Sequence, residues 1–209
     1  MNATPEMRLL QLNTIVMNRL FPLDWTSMPV YLFSETSDNV QSVLEVGKQC
    51  LYYGGGPVCI IDDADKTNDG YPGASVWKES LEKCRIITLT PGASLNTLTE
   101  SLAVAAVAKE EKWDSLVIIA PPFHQLRAFI SMVTAVSTVG YPTVRIYNKV
   151  GVTLPWYAQA RHSQGTLTAK RSDLILTEAE RILKYQQEGT PVPLLSTERV
   201  LEYLEWRDT

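Results

Sequence analysis

Apolar and polar positions alternate in blocks along this chain. Five short runs are rich in β-branched and aliphatic residues: residues 29–33, 58–62, 85–90, 115–120 and 143–147. Between them, residues 37–53, 74–84, 96–111 and 122–138 carry apolar side chains at helical spacing. A strand covered by helices on both faces reads as a continuous apolar run. Strands alternating with helices of this length predict βαβ units and a parallel sheet. The expected class is α/β: a three-layer α/β/α Rossmann-like domain with a mostly parallel sheet of about five strands.

Helices are also expected at both ends. Residues 6–20 place Leu9, Leu12, Val16 and Leu20 near one helical face. Residues 172–188 and 196–206 repeat the pattern with Leu174, Ile182 and Leu183, then Val200 and Leu204. Residues 148–171 show no regular period. A loop of that length in a compact domain is usually functional or disordered. It is expected either to close over a ligand through Trp156, Tyr157 and Arg161, or to pack the C-terminal helix. The whole chain, 1–209, reads as one domain: a helical segment over 1–27, a core over 28–150, and a loop with C-terminal helices over 151–209.

Charge and composition narrow the function. A net charge of −4 argues against a nucleic-acid surface. No run approaches the roughly 20 apolar residues of a membrane span. The amino terminus lacks a basic region followed by an apolar stretch, so no signal peptide is expected. The three cysteines are odd in number and unpaired in spacing, which fits buried thiols and a reducing cytoplasm. Only two histidines are present, so a metal site built on several imidazoles is excluded within one chain, and no metal is expected. The expected partner is a small molecule, with a homodimer as the candidate assembly.

Two segments follow strands and open helices, 91–100 and 121–128. In open α/β sheets ligands bind at the carboxyl ends of the strands. Ser94, Asn96 and Thr97 surround a helix start whose free N–H groups suit a phosphate or carboxylate. The spacing Thr97–Glu100 also fits a capping box, a structural use. His124 and Arg127 share a face of the next helix. A cation at a helix amino terminus opposes the macrodipole, so Arg127 calls for an anion beside it. The same field favours neutral His124, able to accept a proton. A surface pair for Arg127 and a helix-end role for His124 are the structural alternatives. Asp62 closes the second strand, where dinucleotide folds hold ribose hydroxyls. Asp63, Asp65 and Asp69 read as a solvated turn. The glycine fingerprint of those folds is absent: Ser34-Glu35-Thr36 follows the first strand.

Ser94-Leu95-Asn96-Thr97 with Glu100, then Phe123-His124-Gln125-Leu126-Arg127-Ala128, and finally residues 178–186, resemble the YdcF-like family over roughly residues 30–189. The resemblance implies a Rossmann-like fold and a polar site on Ser94, Asn96, Thr97, Glu100, His124 and Arg127. It also implies S-adenosylmethionine as a candidate ligand, since one cytosolic member is reported to bind it. Membrane-anchored relatives are linked to envelope and peptidoglycan precursor metabolism.

Three functions remain open. The first is binding of a small anionic or adenosyl/nucleotide-like ligand, with Ser34, Asp62, Ser94, Asn96, Thr97 and Phe123 as contacts. The second is an enzyme, a transferase or hydrolase on a small phosphorylated or carboxylated metabolite. There Arg127 clamps the anion and His124 or Glu100 moves a proton. The third is an interaction protein whose site has lost its chemistry.

Overall fold

The computed structural model describes residues 3–18, 25–54, 56–81, 84–90, 92–162, 167–188 and 191–209. Leu20 of the first helical pattern lies outside the described residues, as does Pro91 of the first motif.

Five parallel strands form the central sheet: β1 Val30–Leu32, β2 Val58–Ile61, β3 Arg85–Ile87, β4 Ser115–Ile119 and β5 Arg145–Asn148. Their order is β3-β2-β1-β4-β5. Strands alternate their side chains between faces. Val30 and Leu32 pack with Val58, Ile60, Val117 and Ile119 on one face. Tyr31 and Phe33 pack with Cys59, Leu116 and Ile118 on the other.

Helix α2 Val40–Tyr52 and α3 Ala74–Ser80 cover the first face. Helices α1 Pro5–Asn18, α4 Thr97–Glu110, α5 Gln125–Thr138, α6 Arg171–Glu188 and α7 Thr197–Arg207 cover the second. The result is the expected three-layer α/β/α domain. Helix α5 is the most enclosed, with eleven of its fourteen residues buried. It packs on α4, α1, α6 and α7 at once.

Two strands fall in the stretch that showed no period. They are β6 Gln159–Arg161 and β7 Thr168–Lys170, an antiparallel pair. Each has one alanine between polar residues, Gln159-Ala160-Arg161 and Thr168-Ala169-Lys170, so neither forms an apolar run. Asp63 also differs from the solvated turn expected of it. It is 1% exposed, and Trp77 Nε1 donates to its Oδ2 at 3.1 Å. Asp69 is exposed and pairs with Lys66 at 3.0 Å. Cys50 and Cys59 are buried and Cys84 is half-buried, all as free thiols.

The order β3-β2-β1-β4-β5 reverses direction between β1 and β4. In such sheets that reversal opens a crevice at the carboxyl ends of the two strands. The loops that meet there are 33–39, after β1, and 120–124, after β4.

Candidate functional site

Helix α4 begins at Thr97, with Asn96 as its cap. Asn96 Oδ1 accepts from Leu98 N and Thr99 N, each at 3.0 Å, and Thr99 Oγ1 accepts from Asn96 N at 3.0 Å. The capping box is therefore Asn96 with Thr99, one position earlier than the Thr97–Glu100 spacing suggested. The side chain one residue before the expected cap has the extended backbone that capping needs. Thr97 and Glu100 are thereby released for other contacts, and both point into the protein.

Glu100 is 3% exposed. Tyr31 Oη donates to its Oε1, and Ser34 N donates to the same oxygen at 2.7 Å. Burial pushes its carboxyl up to about 8, against the opposing effect of those two hydrogen bonds. Ser34 thus contributes its backbone N–H, beside a buried side chain.

His124 stands at the N-cap position of α5, makes no capping bond with its side chain, and is 1% exposed. Its Nδ1 lies 2.6 Å from Oε1 of Glu35, and its Nε2 lies 3.3 Å from Thr97 Oγ1. Glu35 is fully buried in the loop after β1, and its Oε2 has no hydrogen-bond partner. Burial, with the charges of Glu178 and Glu100, pushes the Glu35 carboxyl well above the usual carboxylate range. Burial and the neighbouring Arg127 charge hold the His124 imidazole well below its ordinary value. Uncharged imidazole was the expected state. Its main cause is burial rather than the helix field. Phe33 adds an edge-on ring contact to His124, with centroids 5.9 Å apart.

Arg127 stands one turn further along α5 and is 2% exposed. Its Nη1 donates to Thr97 Oγ1 at 2.5 Å. Its Nε and Nη2 donate to the two oxygens of Glu178, the second at 3.1 Å. The anion that its position demanded is thus a carboxylate of the chain itself. Burial alone would raise the Glu178 carboxyl, but Arg127 and the bond to His162 hold it well below the usual range. His162 also bonds Glu178, and Arg181 Nη1 lies 2.7 Å from its Nδ1.

The loop after β1 is fastened from above by the β6–β7 region. Arg161 donates from its backbone N and from Nε to Asp38 Oδ2, each at 3.0 Å. Arg171 donates to Asn39 Oδ1 at 3.1 Å, to Pro155 O at 3.1 Å and to Asp38 O at 2.5 Å. Arg161 and Arg171 are thus ties between elements. Trp156 is half-buried, and Tyr157 is 81% exposed.

The remaining expected contacts scatter. Ser94 is exposed and its carbonyl accepts from Thr99 Oγ1 at 2.6 Å. Ser94 and Asn96 border an open groove of about 580 Å³ with Leu89, Thr99 and Ala103, whose lining does not include Arg127. Asp62 is exposed. Phe123 packs with Ala160 and Leu174 beneath the β6–β7 pair. A second groove of about 390 Å³ runs between α1, α5 and α6, with Leu9, Leu126 and Ile182 along it and Glu178 at one side.

Of the expected residues, Thr97, Glu100, His124 and Arg127 belong to one buried polar cluster. Sequence reasoning missed Glu35 and the pairing of Glu178 with Arg127. Glu35 had a signal, a carboxylate in the turn after the central strand where a glycine was expected. No helix of the described residues is long and apolar enough to cross a membrane, and none of their side chains group as a metal site. No protein-family model matches the chain, and no curated protein matches it.

Proposed function

We propose that the chain is a Rossmann-like enzyme, a hydrolase or transferase acting on a small anionic metabolite at the carboxyl ends of β1 and β4. The observation that carries this reading is the imidazole of His124, held at the sheet reversal between Glu35 and Thr97 at 2.6 and 3.3 Å. A base oriented by a carboxyl group, with a hydroxyl on its other nitrogen, is the arrangement that proton transfer uses. Arg127 bears on the anionic part only through exchange: its guanidinium is held by Glu178 and Thr97, and a ligand carboxylate or phosphate would have to displace Glu178.

The YdcF-like resemblance makes S-adenosylmethionine the first ligand to test. The turn after β1 does not fit the usual adenosyl cradle, because Ser34, Glu35 and Thr36 fill it with buried side chains where glycines leave backbone room.

The test is a panel of S-adenosylmethionine, nucleotides, and phosphorylated and carboxylated metabolites, scored by calorimetry and turnover. Wild type should bind at least one member. His124→Ala should keep binding and lose turnover, and Arg127→Met should weaken binding. Turnover that survives His124→Ala overturns the reading.

A second reading, a non-catalytic interaction protein, draws on the same Arg127, whose charge Glu178 already matches. Silence across the whole panel would favour it.

A further inference from the structure

We propose that Thr97, His124 and Glu35 form a nucleophilic triad, in which the Thr97 hydroxyl accepts an acyl group from a small ester or thioester. The proposal rests on the enzymatic reading above and names its substrate class.

Three separate elements bring the groups together. Thr97 opens α4, His124 immediately precedes α5, and Glu35 lies in the turn after β1. The contacts run in one line, from Thr97 Oγ1 to Nε2 at 3.3 Å and from Nδ1 to Glu35 Oε1 at 2.6 Å. A weak hydroxyl nucleophile needs a base within hydrogen-bond reach, and the base needs a third group to fix its orientation. The same constellation recurs on unrelated folds, recognised by geometry and not by sequence order. Chain order here is Glu35, Thr97, His124.

A core histidine has no need of such a partner. A backbone carbonyl would fix its tautomer without burying an ionisable carboxyl, which is costly. Here the carboxyl is fully buried, and its second oxygen has no partner. Two further features favour negative charge on the Thr97 oxygen. It sits at the positive end of a fourteen-residue helix, and Arg127 Nη1 lies 2.5 Å away.

The step balances without a co-reactant other than water. The Thr97 oxygen attacks the carbonyl carbon and its proton passes to His124 Nε2. The bond from that carbon to the leaving oxygen or sulfur breaks, and the leaving group takes the proton from Nε2. Water then attacks the acyl-Thr97 carbon and gives a proton to Nε2. The bond to Thr97 breaks, and its oxygen recovers that proton as the acid departs. Thr97 is 5% exposed, so substrate reaches it only when the packing around it opens locally.

The full-length chain is incubated with p-nitrophenyl esters, an acyl thioester and a fluorophosphonate probe, then read by intact mass and peptide mapping. One adduct per chain is expected, on Thr97. It should be lost in Thr97→Val and His124→Ala and retained in Thr97→Ser. Glu35→Gln should slow it by two or more orders of magnitude, in the manner of triad acid-to-amide changes. Thermal melts establish which variants fold, and Thr97→Ser carries the test should Thr97→Val not fold. Absence of any adduct on the wild type, an adduct elsewhere, or turnover that persists in folded Thr97→Val overturns the triad. Ligand binding with turnover lost only in His124→Ala would leave the broader acid–base reading standing.

Discussion

Arg127 and Glu178, separated by 51 positions in the chain, meet as a two-pronged ion pair that is 2% and 4% exposed. Removing one partner of such a pair leaves an uncompensated charge in the interior. Glu178→Ala should therefore cost about 3–5 kcal/mol, read by urea unfolding. Glu202→Ala, at the exposed pair with Arg199, should leave the midpoint unchanged. The Glu178 carboxyl is depressed in the folded protein, so its contribution is present above the ordinary carboxylate pKa and is lost as the pH falls.

Glu100 has the opposite sign. Its folded pKa is raised from 4.5 to about 8. Its neutral form is the favoured one when buried, so its stabilising contribution is complete below 4.5 and is lost as pH rises through about 8. Glu100→Gln keeps an acceptor for Tyr31 Oη and Ser34 N but cannot ionise. Melting temperature should decline across this window in wild type and decline less in the variant. Parallel curves would show that Glu100 is not the titrating group.

Asn96 acts on stability through its cap. Asn96→Ala removes the acceptor for Leu98 N and Thr99 N and should cost about 1 kcal/mol by chemical denaturation. A loss of turnover without a change in stability would give Asn96 a direct place at the ligand.

Arg171 fastens the cover. Arg171→Met removes its three hydrogen bonds to residues 38, 39 and 155. Amide exchange should rise in β6 and β7 and in residues 36–39, while β1 and β4 stay protected. Uniform acceleration would mean that Arg171 supports the whole domain.

The layers were legible because each rests on a local pattern. Val58–Ile61 and Ser115–Ile119 are apolar runs, and the helices between them keep their period. Thr97, His124 and Arg127 were legible as candidates because they sit where strands end. Their partners were not. Glu35 is 89 positions from His124, and Glu178 is 51 from Arg127. Nothing local marks a carboxylate as the mate of a distant base. The spacing of Thr97 and Glu100 suits a capping box as well as a site, yet Asn96 and Thr99 form the cap and Glu100 turns inward. The stretch before Arg171 lacked an apolar run because each of its two strands has a single alanine between polar residues.

The ties from Arg161 and Arg171 to Asp38 and Asn39 have a consequence for synthesis. The turn after β1 is among the first parts of the domain to leave the ribosome, but its fastening is made more than 120 residues later. A nascent chain can stack β1 on β2 early. It cannot fasten Asp38 and Asn39, beside Glu35, until α6 has begun to emerge.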